Sequence, residues 1–435
     1  MTTRAHLLAA LLLLIPAAAV AQDNVSAWVQ YAPGGGADAR VLTLAPECPR
    51  LSIDGAQQAM AERAAPDADF GLRVCSLAIP RGAKHVEIAG PRDRTAGGQQ
   101  PRERLPVPPA HPRRIMVFGD TGCRIKIMDG DRELQACNDP KQWPFPQIAA
   151  EAAKLKPDLV IHVGDYLYRE SACPQGNAGC AGSPWGDNWA SWDADFFTPA
   201  APLLKVAPWV IVRGNHEDCA RAGPGFLRLL GPLPYDPNAK CIDHLAPYMV
   251  ALGPVNAVVM DNASAPDTTI DHDRLSSYQS DFASLPSLAK APAWLVMHRP
   301  IWGAIKGPGG VPLGGNATMI AALGDSHALD GVALMLAGHI HTFEAMNYSS
   351  GAPAIVAGFG GDNLDVTPRD LSGANLSGKY VEDGLSIGGF GFLIMEQQGP
   401  GWRIDVHGVD GRIERVCKFE NGRVGCAKSG TATGG

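Results

Sequence analysis

The chain has 435 residues, an ordinary apolar fraction of 46% and a formal net charge of −7. An acidic chain without a run of lysine or arginine is not expected to track the phosphate backbone of DNA or RNA. The length predicts two domains, or one large domain with attachments.

The first residues have the pattern of a secretory signal peptide. Arg4 precedes a short apolar run over 7–15, and the small residues AVA at 19–21 form a cleavage pattern. The apolar run is too short for a membrane-spanning helix, and no later stretch is long and apolar enough. We therefore expect residues 1–21 to be removed and the mature protein to be secreted or periplasmic.

Ten cysteines follow in the exported part of the chain. An even number in an oxidising compartment predicts disulfides. A zinc cluster is the alternative, but no C-x-x-C pair favours it. The sequence leaves the pairing open; the simplest of many arrangements joins neighbours along the chain, which are Cys48–Cys75, Cys123–Cys137, Cys173–Cys180, Cys219–Cys241 and Cys417–Cys426.

Residues 22–98 are expected to form a small β-rich domain, because short apolar runs such as WVQYA and RVLTLA alternate with Gly, Pro and Asp. Residues 99–112 are rich in Pro and Arg and have no apolar periodicity, so we expect a linker. The larger region is 113–435.

In the larger region, strand and helix patterns alternate. RRIMVFGD, DLVIHVGD, PWVIVRGNH, AWLVMHRP and VALMLAGHIH have the continuous apolar runs of strands that are covered on both faces. PQIAAEAAKLK and the segment 199–205 are predicted helices between them. This alternation predicts an α/β core. From residue 388 onward, three apolar runs and the turn Asn421-Gly422 predict a closing β-meander.

The five apolar strands end in polar clusters of one chemical type. Because ligand sites of open α/β sheets lie beyond the carboxyl ends of the strands, these ends are expected to meet. Seven oxygen and nitrogen donors are too many for one tetrahedral ion and suit two ions about 3.5–4 Å apart. Such mixed donors favour iron, zinc or manganese over calcium. The candidate ligands are Asp120, Asp165, Tyr168, Asn215, His298, His339 and His341.

Five blocks occur in order: GDTG at 119–122, GDYLY at 164–168, GNHE at 214–217, VMH at 296–298 and GHIH at 338–341. Together they resemble the signature of purple acid phosphatases, within the calcineurin-like metallophosphoesterases. The resemblance implies a four-layer α/β/β/α sandwich. It also implies a metal-dependent phosphoric ester hydrolase that acts on a small phosphorylated substrate.

The resemblance also assigns the ligands to two ions. It implies that Asp120, Tyr168 and His341 bind one ion, and that Asp165 bridges the two. The second ion then takes Asn215, His298 and His339. The wider superfamily begins with D-x-H, whereas this chain has Gly122 where that histidine would stand, and the tyrosine of GDxxY fills the vacancy in the purple subgroup. A phenolate ligand favours Fe(III), paired with Zn, Fe or Mn.

The expected reaction begins with a water that the two cations acidify, so that hydroxide attacks phosphorus in line with the leaving oxygen. The resemblance implies that His216 contacts the phosphate or protonates the leaving group. The further histidines that commonly follow the VxxH block are absent. Arg299 and Lys306 are candidate substrate contacts instead, and Arg124 and Arg169 are further candidates.

Two other functions remain open at this stage. A phosphodiesterase or nucleotidase would use the same dimetal core, since one fold hosts many substrates. A non-catalytic exported binding protein would be expected to lack ligands, and none of the seven is missing.

Overall fold

The computed structural model describes residues 24–89, 103–128, 131–253, 255–290, 292–325 and 327–427. The predicted signal peptide, 1–21, lies outside these ranges, as do residues 99–102 of the predicted linker. All ten cysteines and all seven candidate ligands lie within them.

Strands dominate the described chain, and six α-helices accompany them. The strands are β1 (Asn24–Ala32), β2 (Gly36–Thr43), β3 (Arg50–Ile53), β4 (Ala56–Ala59), β5 (Ala61–Ala64), β6 (Arg73–Ile79), β7 (Val86–Ala89), β8 (Glu103–Leu105), β9 (Arg114–Phe118), β10 (Ile125–Met128), β11 (Asp131–Leu134), β12 (Leu159–His162), β13 (Trp209–Ile211), β14 (Tyr248–Ala251), β15 (Asn256–Val259), β16 (Ala293–Val296), β17 (Ile305–Lys306), β18 (Pro312–Leu313), β19 (Val332–Ala337), β20 (Phe343–Tyr348), β21 (Ala354–Ala357), β22 (Asn375–Leu376), β23 (Lys379–Ile387), β24 (Gly391–Gln398), β25 (Gly401–Gly408), β26 (Ile413–Glu420) and β27 (Arg423–Cys426). The helices are α1 (Phe145–Lys154), α2 (Trp189–Trp192), α3 (Thr198–Leu204), α4 (Gly223–Leu229), α5 (Leu275–Leu288) and α6 (Ala317–Leu323).

Two large mixed sheets pack face to face. The first has the strand order β27-β26-β25-β24-β9-β12-β13-β1-β2-β6-β5, and the second β14-β15-β16-β19-β21-β20-β23-β22. Alternate residues of β9 enter different cores: Ile115 and Val117 pack between the sheets, whereas Met116 and Phe118 pack with α1 and α3. Helices α5 and α6 cover the outer face of the second sheet. This is the expected four-layer α/β/β/α arrangement.

The N-terminal region is β-rich, as expected, but four of its strands extend the first sheet. β1 pairs in parallel with β13, and β2, β6 and β5 continue outward from it. A separate four-stranded sheet contains β3, β4, β7 and β8, around an apolar core of its own. Strand β8 lies in the segment where we expect a linker, because its residues pair with β7. The domain boundary at residue 113 stays a prediction.

The C-terminal meander and the disulfide pairs are those that the sequence predicts. Strands β24 to β27 run antiparallel in order, and β24 pairs with β9. Asn421 and Gly422 both have positive φ, as the tight turn between β26 and β27 requires. All five neighbouring cysteine pairs are bonded. Five disulfides indicate an oxidising environment. None of the described helices is both long and apolar enough to cross a membrane.

The topology brings the polar strand ends together. β9, β12 and β13 are parallel neighbours in the first sheet, and β16 and β19 are parallel neighbours in the second. Since parallel strands point their carboxyl ends to one edge, the segments that follow them meet at one edge of the sandwich.

Candidate metal centre

Three candidate ligands have left-handed backbone conformations. The φ angles of Asp120, Asp165 and His339 are 59°, 60° and 70°. Such angles are uncommon outside glycine and cluster at functional sites, where surrounding contacts hold them in place. Each of these residues directly follows a strand-end glycine, and the side chains around those glycines leave no room for a Cβ. A Cβ on Gly338, for example, would lie 2.5 Å from Asp120 Oδ2.

One group of donors surrounds the phenol oxygen of Tyr168. Tyr168 Oη lies 2.8 Å from Asp165 Oδ2, 3.2 Å from Asp120 Oδ1 and 3.1 Å from His341 Nε2. All four side chains are buried. Asp120, Asp165 and His341 can direct one ligand atom each to a common point, so the phenol oxygen makes a fourth donor beside it.

Gly122 stands where the wider superfamily has its histidine, and the space around it is filled. A Cβ at this position would lie 2.7 Å from the carbonyl oxygen of Tyr166 and 2.9 Å from Tyr168 Cδ2. A side chain at 122 and the observed position of Tyr168 therefore exclude each other.

A second group of donors shares Asp165 with the first. Asp165, His298 and His339 can also direct one ligand atom each to a common point. His298 Nε2 lies 3.2 Å from Asp165 Oδ2 and 2.9 Å from Asn215 Oδ1, which places the amide in the same group. The structure thus brings all seven predicted ligands into two adjoining groups with one common carboxylate.

Outer hydrogen bonds orient each histidine. The Nδ1 atoms of His298 and His341 lie 2.8 Å and 2.6 Å from the carbonyl oxygens of Val163 and Asn363, so each donates from Nδ1 and directs Nε2 towards the other candidate ligands. His339 is reversed: its Nε2 lies 2.8 Å from the carboxylate of Asp267, which leaves Nδ1 free. A carboxylate or carbonyl behind a ligating histidine is typical of metal sites.

The donors fit two cations in chemistry and in charge. Burial lowers the pKa of His341, but a hydrogen bond to Asp120 and the charges of Asp362 and Asp120 outweigh it and raise that pKa to about 10. Burial and the charges of Asp165 and Asp120 raise the pKa of Tyr168 well above its usual value. Nearby carboxylates contribute to both shifts, and bound cations would neutralise their negative charge.

Comparison with known proteins identifies the family. Residues 113–343, more than half of the chain, match the calcineurin-like phosphoesterase family. The chain belongs to this family. It is therefore a metal-dependent phosphoric ester hydrolase. No curated protein sequence matches it.

Two solved structures have the fold of this phosphoesterase. One is a purple acid phosphatase, PPD1, from seeds of yellow lupin (Lupinus luteus), with a TM-score of 0.56, 13% identity, 90% of this chain covered and 73% of the lupin chain. The other is PhoD, with a TM-score of 0.55, 13% identity, 94% of this chain covered and 93% of the PhoD chain. At 13% identity, these two comparisons show a shared fold and nothing more.

Two buried polar residues that the sequence did not single out hold the phosphoesterase loops in place. The carboxylate of Glu217 accepts the backbone N–H groups of Gly214 and Asp165 at 3.1 Å, and those of Tyr166 and Leu167 at 2.8 Å and 3.1 Å. Glu217 is the last residue of the GNHE block, and its place in that block is the feature of the sequence that could have pointed to it. The Asn262 amide oxygen accepts the N–H groups of His298 and Arg299 at 3.2 Å and 3.0 Å.

The glycine-rich run GFGGDN at 358–363 packs against the first ligand block. Cβ atoms on Gly358, Gly360 or Gly361 would lie 2.4 Å to 2.5 Å from backbone oxygens. The N–H of Asp362 donates to the Asp120 carbonyl at 2.9 Å. The glycines therefore allow a close backbone approach to the site.

His216 lies beside the shared carboxylate. Its Nε2 is 3.9 Å from Asp165 Oδ2 and its Nδ1 is 2.8 Å from Glu170 Oε1. The imidazole also lies against the ring of Tyr168, with centroids 3.8 Å apart. The structure thus places His216 next to both donor groups, and Glu170 is a neighbour that the sequence did not reveal.

The predicted phosphate-binding arginines occupy different places. Arg299 lies next to the second donor group: Nη1 contacts the Asp267 carboxylate and is 3.0 Å from His339 Nε2. Arg124 lies over the Tyr168 ring, but Asp362 and Glu133 bind its guanidinium.

Among the described residues, no hydrogen bond joins the side chain of Arg169 or of Lys306 to a candidate ligand. Arg169 is buried, and its Nε is 2.5 Å from Asp195 Oδ1 while its Nη1 is 2.6 Å from Ser183 Oγ. Because these partners occupy the guanidinium, we no longer expect Arg169 to contact phosphate. Lys306 is exposed on strand β17.

Proposed function

We propose that this phosphoesterase is an exported dinuclear-metal phosphatase that hydrolyses phosphate monoesters. The supporting observation is the position of Tyr168 Oη, 2.8 Å from the Asp165 carboxylate that both donor groups share. A phenol in this place is the diagnostic feature of the purple acid phosphatase resemblance. The lupin protein with the same fold carries that name.

Two ions complete the proposed site. Asp120, Tyr168 and His341 would hold one, and Asp165 would bridge to its neighbour. Asn215, His298 and His339 would hold the second ion. We propose Fe(III) at the phenol and Zn, Fe or Mn at the other position. When bound, the cations activate water as a nucleophile and neutralise charge on the phosphoryl oxygens.

The chain's own residues hold the substrate and move a proton. With Nδ1 directed to Glu170, His216 presents Nε2 towards the shared carboxylate, where it can contact phosphate or protonate the leaving oxygen. General acid catalysis of this kind contributes roughly 10²–10⁴-fold. We therefore expect His216→Ala to lower kcat by a factor in this range and to keep both metals.

Arg299 is the strongest candidate for the phosphate contact. Its Nε and Nη1 are hydrogen-bonded to the Ala263 carbonyl and the Asp267 carboxylate, which fixes the guanidinium beside His339. The second terminal nitrogen makes no hydrogen bond to any described residue, so it remains available for a phosphoryl oxygen. We expect Arg299→Ala to raise KM more than it lowers kcat.

A substrate panel tests the reaction. The metal-loaded protein is assayed with p-nitrophenyl phosphate and with bis-p-nitrophenyl phosphate, and Asp165→Ala is the inactive control. The proposal predicts a higher kcat/KM for the monoester. Much faster cleavage of the diester would replace it with the phosphodiesterase function, and no turnover of either ester would support a non-catalytic binding protein.

Export and domain organisation are also proposals. The five disulfides support an oxidising compartment, and we propose cleavage after residue 21, with catalysis in 113–435. N-terminal sequencing of the protein recovered outside the cytoplasm should begin at Gln22. A mature protein that retains residues 1–21 would contradict this.

A further inference from the structure

A short hairpin near the candidate metal centre exposes three aliphatic side chains. Strands β17 and β18 form it, and Ile305 pairs directly with Leu313. Ile305, Val311 and Leu313 are 45%, 60% and 46% exposed. Isolated aliphatic side chains are common on surfaces, whereas contiguous apolar patches are typical of binding sites, and the direct pairing of Ile305 with Leu313 places two of these residues side by side.

A fourth exposed aliphatic residue is joined to this hairpin through its backbone. Val366 is 68% exposed, and its carbonyl accepts the N–H of Lys306 at 3.1 Å. The N–H of Gly307 donates to the Val311 carbonyl at 2.9 Å, which closes the hairpin. We call Ile305, Val311, Leu313 and Val366 the aliphatic patch.

The patch is connected to the metal centre on two sides. Gly303 lies so close to Ile340, the residue between His339 and His341, that a Cβ on it would be 2.5 Å from Ile340 Cδ1. Val366 follows Asp365, whose carboxylate accepts the N–H of His341 at 2.8 Å. The aliphatic patch therefore begins within a few residues of the groups that hold the candidate ligands.

We propose that the aliphatic patch binds an alkyl chain esterified to the phosphate, which makes alkyl phosphates the preferred substrates; this rests on the function proposed above. The patch has no aromatic ring to stack on a nucleobase. Four side chains are also far fewer than the roughly 20–30 residues that each side of a stable protein interface contributes. A flexible chain of methylene groups matches its size and chemistry.

Chain length is the variable that tests this proposal. The metal-loaded wild-type protein is assayed with n-alkyl phosphates from ethyl to octyl, below the concentrations at which they form micelles. Full burial of one methylene is worth about fourfold. Because the patch leaves one side of the chain in water, we expect kcat/KM to rise about twofold per methylene and then level off.

Substitutions separate the patch from catalysis. In the double variant Val311→Ser and Leu313→Ser, the dependence on chain length should disappear while kcat/KM for ethyl phosphate stays within about twofold. Val206→Ser is the matched control. Val206 is 39% exposed and lies just before β13, at the opposite end of that strand from the metal centre, so it should keep the full dependence.

The outcomes distinguish this proposal from the one on which it rests. Equal kcat/KM for ethyl and octyl phosphate, or a chain-length dependence that survives in the double variant, overturns the alkyl-chain site. Hydrolysis of p-nitrophenyl phosphate but of no alkyl phosphate also overturns it and leaves the phosphatase intact. Failure on every monoester overturns the phosphatase itself, and the alkyl-chain site with it.

Discussion

The two donor groups of the candidate metal centre differ in charge. One contains two carboxylates, the phenol of Tyr168 and a single imidazole, His341. The other contains two imidazoles, the amide of Asn215 and only the shared carboxylate of Asp165. Anionic oxygen donors favour a harder and more highly charged ion than imidazoles do. This difference supports the proposal that the two groups hold unlike ions, with Asp165 as the one residue that belongs to both groups.

The largest expected effect comes from the shared carboxylate. Asp165→Ala removes the one donor common to both groups, so elemental analysis should find neither metal retained. The loss of kcat/KM should exceed the roughly 10–100-fold that is typical of changes behind the ligands. A variant that kept one ion and substantial activity would show that the groups do not share this residue.

Asn215→Ala tests whether the second donor group can lose its ion while the first group keeps its own. Asn215 Oδ1 lies 2.9 Å from His298 Nε2, and among the described residues no hydrogen bond joins Asn215 to Asp120, Tyr168 or His341. We therefore expect the variant to lose the second ion, to keep the first with any visible absorption, and to lose most of its activity. Elemental analysis after dialysis measures this. Equal loss of both ions would contradict the division.

Tyr168→Phe tests the first donor group, where the phenol is the expected ligand of Fe(III). Removal of the phenol should abolish any visible charge-transfer band, because the band needs a phenolate on Fe(III). Tyr166→Phe is the control, since this buried phenol donates to the Val212 carbonyl at 2.9 Å and not to a candidate ligand. A band that persists in Tyr168→Phe would rule out phenolate ligation.

Asp267→Asn should have a smaller and one-sided effect. Its carboxylate lies behind His339, and partners in that position typically contribute 10–100-fold to metal affinity. Because Asp267 is partly exposed, we expect the low end, about tenfold weaker binding of the second ion. Chelator titration of each metal measures it, and weaker binding of the first ion alone would contradict the assignment.

The smallest effect is expected outside both groups. Burial raises the pKa of Glu344 to about 8, although the N–H of Ala304 lowers it. The folded protein then holds a proton that the unfolded chain releases near pH 4.5, so stability falls as the pH rises from about 4.5 to 8. In Glu344→Gln this fall should be weaker, and the Tm difference from wild type should grow between pH 5 and 8. Metal content should stay unchanged.

The sequence predicted the positions of the donors because their signals are local. Each candidate ligand directly follows an apolar strand, or stands a few residues beyond it, often with a glycine whose missing side chain makes room. The disulfide pairing is local in the same way, because each cysteine is bonded to its neighbouring cysteine in the sequence.

The supporting residues could not be predicted because their contacts are distant in sequence. Asp267 is 72 residues from His339, and Asn262 is 36 residues from His298. The prediction for Arg169 has the same weakness. Its position next to Tyr168 suggested a phosphate contact, whereas its guanidinium binds Asp195, which is 26 residues further along the chain. The N-terminal strands likewise join the main sheet because β1 pairs with β13, and no local sequence pattern predicts this pairing.

Anomalous diffraction from crystals of the metal-loaded protein tests the central claim most directly. The account predicts two peaks about 3.5–4 Å apart with the Asp165 carboxylate between them and the Tyr168 phenol oxygen bound to one. A single peak, or two peaks with Tyr168 bound to neither, would contradict it.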